Sequence, residues 1–243
     1  MKTKNLITAV FLLFAVFIVG CDNPNPPITH IHAKVENAEK FGNIVEVRLI
    51  IALPPAESGL PNRHIEIARG DWKDCGFAIE LPKTVNPNHL SRLTPDGRWR
   101  VRLNRYIYSE ELSAATTISN RNARTVSGEL GGFDKNGDLV AFFSFGNMID
   151  EDNYTRAVFT YVDSDVTVLG NSVRGHEISA YDEISYLKVL GTYSIEWKRG
   201  WNLSSLAKSR TVTDSTLIYT RQWSNPVVGL KLYAEVPEWL LPL

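Results

Sequence analysis

Two hydrophobic patterns divide the chain. From Leu6 to Gly20 the residues are uncharged and mostly Leu, Ile, Val, Phe and Ala, with Lys2 and Lys4 ahead of them. Such a run lies within the ~7–15 residue range of an export signal. It falls short of the ~20 apolar residues that span a bilayer. Downstream the period becomes two. Val45, Val47, Leu49 and Ile51 fall on one face, and Ile65 and Ile67 alternate with His64 and Glu66. Phe77, Ile79 and Leu81 alternate with Ala78 and Glu80. Trp99, Val101 and Leu103 alternate with Arg98, Arg100 and Arg102. Leu139, Ala141, Phe143 and Phe145 share a face, as do Ala157, Phe159 and Tyr161. Tyr193, Ile195 and Trp197 alternate with Ser194, Glu196 and Lys198, and Val228, Leu230 and Leu232 close the series. Period two repeated this often predicts half-buried strands.

Turn chemistry punctuates the strands. Pro95-Asp96-Gly97, Lys135-Asn136-Gly137-Asp138, Asp163-Ser164-Asp165 and Arg199-Gly200 are the candidates. Asn-Gly tolerates positive φ and favours a hairpin. Helical pattern is scarce; residues 87–93 and 181–190 are each expected to hold a short helix. The expected fold is all-β: a β-sandwich, either one large or two tandem sandwiches of immunoglobulin- or prealbumin-like type. Alternation lapses near 109–118, which marks a soft boundary.

The apolar run ends in Ile18-Val19-Gly20-Cys21. This resembles the lipobox of bacterial lipoproteins: an aliphatic residue, a tolerant position, a small residue, then Cys. The resemblance implies that residues 1–20 are a lipoprotein signal peptide and that Cys21 becomes an acylated N-terminus. Several acyl chains hold firmly, since each buried methylene contributes ~0.8 kcal/mol. Residues 21–29 read as a tether, with prolines at 24, 26 and 27 favouring an extended spacer. The body then spans residues 30–243.

Composition narrows the possible partners. The chain carries 26 basic and 27 acidic residues; removing residues 1–20 takes Lys2 and Lys4 and no acid, leaving 24 against 27, a net of −3. Nothing in that balance favours nucleic acid. Cys21 and Cys75 are the two cysteines. With Cys21 acylated there is no intrachain disulfide, and the fold rests on its apolar core. Asp74 beside Cys75 disfavours a reactive thiolate, so Cys75 reads as a buried or half-buried bystander.

Three phrases resemble a family of uncharacterised Bacteroidetes cell-envelope lipoproteins. They are Gly76-Phe77-Ala78-Ile79-Glu80-Leu81-Pro82 followed by Val85 and Leu90; Tyr161 to Gly170; and Lys198-Arg199-Gly200-Trp201-Asn202. The resemblance implies a β-sandwich lipoprotein. It transfers no functional residue beyond the lipobox Cys21.

Candidate chemistry is sparse. Asp134, Asn136 and Asp138 have the spacing of the first ligands of a calcium loop, but Leu139 and Phe145 stand where that loop needs Gly and Glu, so a plain hairpin turn is favoured. His30 and His32 share a strand face, yet a closed metal site wants four ligands. No metal or cofactor is expected. Arg98, Arg100 and Arg102 form a ladder able to meet an anionic partner, with a solvated face as the plainer explanation. Trp72, Trp201 and Trp223 sit at strand ends or after a turn and are the candidates for stacking on sugar rings. Asp214-Ser215-Thr216 looks like an O-glycosylation acceptor of these bacteria, at Ser215. Signature motifs of nucleophilic, zinc or nucleotide enzymes are missing. A glycosidase needs only two carboxylates that meet in space, and Glu177, Asp182 and Glu183 are acids without an evident partner.

The sequence therefore leads to a lipid-anchored envelope protein, held by acylated Cys21 at the outer membrane, on its periplasmic or surface face, in preference to the inner membrane. Its expected role is non-enzymatic binding or adhesion, presenting the β body to a glycan or an envelope protein. A structural part in an envelope complex, or a polysaccharide hydrolase, are the alternatives.

Overall fold

A computed structural model of the chain describes residues 26–53, 63–93, 99–103, 106–110, 116–148, 153–181, 184–213, 216–225 and 231–235. The strands are β1 (His30–Lys34), β2 (Glu46–Leu53), β3 (Arg63–Lys73), β4 (Gly76–Glu80), β5 (Ser91–Arg92), β6 (Trp99–Leu103), β7 (Tyr106–Glu110) and β8 (Thr117–Ile118). They continue with β9 (Arg124–Phe133), β10 (Leu139–Met148), β11 (Tyr154–Val162), β12 (Val166–Tyr181), β13 (Ile184–Trp197), β14 (Gly200–Thr213), β15 (Thr216–Ser224) and β16 (Lys231–Glu235). The protein is all-β, with only two short 3-10 turns among the described residues, at Ala38–Lys40 and Pro87–His89.

Fourteen strands join one sheet, ordered β1-β4-β3-β2-β9-β10-β11-β14-β15-β13-β12-β8, with β16 on β10 and β5 on β9. β6 and β7 form a separate ribbon. Every described strand pair is antiparallel except β13–β15. Strands on either side of the 109–118 lapse share the sheet through the β2–β9 and β5–β9 pairings.

Packing is sandwich-like, with two main cores on opposite faces of the shared strands. The first gathers Val47, Leu49, Phe77, Ile79, Leu130, Phe143, Phe159, Tyr161 and Trp201. The second gathers Val158, Val162, Val168, Tyr193, Ile195, Trp197, Leu206 and Trp223. β11 feeds both: Phe159 and Tyr161 enter the first, Val158 and Val162 the second. β14 repeats the device, with Trp201 in one core and Leu206 in the other. Strands buried on both faces read as continuous apolar runs, as Val158 to Val162 does apart from Thr160.

Several local expectations change. Val45 is 46% exposed, because it precedes β2 and its backbone bonds Phe133 and Trp72. A register shift at Leu49/Ile50 lets both of these residues bury, so β2 departs from strict alternation. Residues 184–190 are strand, not helix, since β13 is paired along β12 on one edge and β15 on the other. In 87–93 only Pro87–His89 turns; Ser91–Arg92 is extended and pairs β9. The Asn136-Gly137 hairpin forms as its sequence suggests, with Gly137 at φ +83.

Cys75 is exposed, not buried. It occupies a two-residue turn closed by the Lys73–Gly76 pair, where Asp74 and Cys75 have φ of 52 and 60. Positive φ at both central positions is the type I′ hairpin turn that prefers Asp-Gly. A side chain in this region costs about 1–2 kcal/mol relative to the ordinary basin. Cys75→Gly is therefore expected to raise stability by about 0.5–1 kcal/mol after the unfolded-state entropy of glycine is counted, measured by urea unfolding. A lower midpoint would mean that the thiol is held by contacts worth more than the strain.

Thr160 gives a second test. It is fully buried, and its hydroxyl has no hydrogen-bond partner among the described residues. Thr160→Val keeps the branched shape and removes the unpaired polar atom, so stability should rise by about 1 kcal/mol. Loss of stability in the same assay would reveal a bonded hydroxyl.

Candidate functional site

The residues first suspected of chemistry are mostly committed to structure. Trp201 and Trp223 are each 1% exposed, which corrects their assignment to a sugar platform: neither indole offers a free face. Trp201 lies edge-on to Tyr161, ring centres 5.5 Å apart. Trp72 is half-buried and stacks on Phe143 at 5.6 Å. The three tryptophans do not form a platform, because their rings fill the cores that hold the sheet together.

The Asp134 carboxylate closes its own turn. Its Oδ1 accepts the Asn136 and Asp138 backbone N–H groups, each at 2.9 Å. Those bonds, that of Asp138 first, outweigh desolvation and hold the carboxyl below its ordinary value. His30 and His32 are exposed on edge strand β1, where His30 Nδ1 lies 2.9 Å from Thr29 Oγ1. Among the described residues no group of three or more His, Cys, Asp or Glu is placed to hold a metal ion. Arg100 and Arg102 lie on β6, with Ser109 and Ile107 as their cross-strand neighbours on β7. Cys21, Arg98, Asp182, Glu183 and Ser215 lie outside the described residues, and Glu177 is described by its backbone alone.

A different place draws polar groups together. A half-open recess of about 380 Å³ is lined by Thr84, Val85, Asn86, Pro87, Leu90, Arg124, Tyr161, Asp163 and Arg199. That size falls within the ~300–1,000 Å³ of small-ligand sites. The three phrases singled out in the sequence meet here. Val85 and Leu90 come from the first, Tyr161 and Asp163 from the second, and Arg199 from the third.

The two-faced burial of β9 and β11 creates the setting. β9 starts half-buried at Arg124 and is buried from Leu130 to Phe133, while β11 is buried from Val158 to its last residue, Val162, and the chain turns half-exposed at Asp163. Arg124 and Asp163 stand at those ends. The Asp163 carboxylate accepts the Arg124 backbone N–H at 2.8 Å, the Arg124 Nε–H at 2.8 Å and the Ser164 hydroxyl at 3.0 Å. Asn120 Nδ2 steadies that hydroxyl at 3.1 Å. Burial pushes the Asp163 carboxyl up, but the Arg124 N–H, the Arg124 guanidinium and Ser164 together hold it below the ordinary carboxylate range. An ionised, paired carboxylate is a positioning group and a poor general acid. Asp163 is the only carboxylate among the described lining residues.

Arg199 is placed by a braced turn. Its backbone N–H donates to Asp165 Oδ1 at 2.8 Å. Buried Asn202 spans the turn, accepting from Lys198 N at 2.9 Å and donating to the carbonyls of Lys198 at 2.7 Å and Gly200 at 2.9 Å. Gly200 has φ +115, and a Cβ there would lie 3.1 Å from Pro27. Lys198 is held by Glu196 at 2.7 Å and Asp165 at 3.6 Å. The Arg199 guanidinium has no ion pair or hydrogen bond among the described residues. Elsewhere Arg48 and Arg69 are consumed by Glu46 and Glu66 in a surface network across β2 and β3.

The chain also enters the body beside this recess. Ile28 N–H donates to the Trp201 carbonyl at 2.7 Å, and Leu81 N–H to the Thr29 carbonyl at 2.8 Å. Sequence reasoning assigned Asp163 and Arg199 to turns and passed over Arg124. Their only local signal was a charged residue at a turn.

No protein-family model, curated protein or solved structure matches the chain.

The Asp163 pair yields a pH prediction. A carboxylate depressed by folding contributes stability that is present above the unfolded value of ~3.9 and is lost as pH falls through the lower folded value. Asp163→Asn is expected to lower the thermal midpoint at neutral pH and to flatten the acid limb below about pH 5. An acid limb unchanged from the parent protein would show that other carboxylates dominate it.

Proposed function

We propose that this chain is a lipid-anchored binding module of the cell envelope, non-enzymatic, and that it engages a glycan or an envelope protein through the recess between β9, β11 and the Lys198–Asn202 turn. The single observation that carries the reading is Arg199, a lining residue whose backbone is fixed by a braced turn and whose guanidinium has no partner among the described residues. Arg48 and Arg69, by contrast, are each paired with an acid. Rigid strand ends suit a binding site, since the backbone around it is fixed by sheet hydrogen bonds.

The anchor rests on the lipobox-like Ile18-Val19-Gly20-Cys21, and the location follows from it: the outer membrane, on its periplasmic or surface face. A structural role in an envelope assembly has its own support in β12. That strand runs from Val166 to Tyr181, and β8 pairs only with its Val168 and Leu169. A strand edge of that length suits addition of a partner strand.

The test joins both parts. The full chain, expressed in a lipoprotein-processing host fed an alkyne palmitate, should take up label and stay in the membrane fraction; Cys21→Ala should lose both. The detergent-purified full chain should bind a member of a glycan panel, and Thr84→Trp, which fills the recess wall, should abolish the binding. Retained label in Cys21→Ala would refute the anchor. Binding unaffected by Thr84→Trp would refute the recess as the site.

A further inference from the structure

We infer that the recess takes an anionic saccharide unit, its acid group held between Arg124 and Arg199 and its ring lying on the apolar wall. This rests on the proposed binding role and names the ligand class for it.

The charge balance is the first argument. Two guanidinium groups and one carboxylate line the recess, so one positive charge is left over. Asp163 engages Arg124 through Nε, and no other atom of that guanidinium is tied to a carboxylate among the described residues. Its terminal donors remain available to a second anion. Arg199 contributes a whole guanidinium. Guanidinium groups present paired donors that match carboxylate or phosphate oxygens.

Strand register adds an independent observation. Arg92 stands directly opposite Arg124 across the β5–β9 pair. Directly opposed residues of an antiparallel pair share a face, and like charges there are destabilising. Arg92 thus adds a further cation on the sheet face that carries Arg124, outside the lining of the recess.

The uncharged lining points to a sugar and not to a bare anion. Exposed Pro87 and half-buried Leu90 supply apolar surface, with Val85 and Tyr161 buried in the core at its edge, while exposed Thr84 and Asn86 add hydroxyl and amide groups. Asn86 Oδ1 is engaged by the Asn88 N–H at 3.0 Å, fixing the side chain and leaving its Nδ2 donor. A pyranose has the same mixed character: C–H faces for the apolar wall and hydroxyls for the polar rim. Inorganic phosphate would use the arginines and leave the apolar wall in water.

The test uses the full chain in mild detergent and three probes by calorimetry: a galacturonic acid trisaccharide, the neutral galactose trisaccharide and inorganic phosphate. The acidic trisaccharide should bind at least tenfold more tightly than the other two at low salt, and should weaken as salt rises. Arg199→Gln should cost about tenfold in that affinity, and Arg199→Glu should abolish it. Arg199 is exposed and its fold contact is through the backbone, so both variants keep the turn. Equal binding of neutral and acidic sugars, lost on Thr84→Trp, would overturn the anionic class while leaving the binding role intact. Phosphate binding as tightly as the acidic sugar would overturn the saccharide. If no saccharide binds, the inference falls, whether or not a protein partner is found.

Discussion

The structure depends on β11 being buried on both faces. A strand covered on one side can satisfy its outward side chains with water. β11 cannot, so consecutive residues must all suit an apolar setting, and its backbone groups must be paired on both edges. β14 supplies nine register pairs on one edge, from Tyr154–Lys208 to Val162–Gly200. β9 and β10 divide the other edge between them. The two cores are thus tied through one strand, and neither can reorganise without disturbing the other.

The recess follows from the same constraint. No charged residue enters the Val158–Val162 run of β11, where a charge would carry a large desolvation cost. Asp163 directly follows that run, and the β9–β11 pairing brings Arg124 beside it across 39 residues of sequence. Asn202 and Asp165 then fix the adjoining turn. The recess lies at the border of the first core: Val85 and Tyr161 belong to that core, and Arg124, Asp163 and Arg199 lie outside it.

This explains what the sequence revealed. One-sided strands such as Phe77, Ile79 and Leu81, or Tyr193, Ile195 and Trp197, are legible because water on one face enforces alternation. The Asn136-Gly137 turn is legible because its backbone chemistry is local. The two-faced role of β11 is not, since an apolar run carries no period. Tyr181, Ile184 and Leu187 recur at helical spacing, yet pairing with β12 and β15 overrides that local signal. Trp201 looked like a surface ring after a turn glycine, but Gly200 only starts the strand that carries it inward. The recess was the least legible feature, because Val85, Arg124, Asp163 and Arg199 become neighbours only through strand order.

The bond from Ile28 to Trp201 has a mechanical meaning. The N-terminal segment meets the body at Gly200 and Trp201, immediately after Arg199. A pull on that segment would load the Ile28–Trp201 bond first, beside the turn that Asn202 cross-links to itself. Past that bond the load would reach the Thr29–Leu81 bond and the β1–β4 pairing at the edge of the sheet.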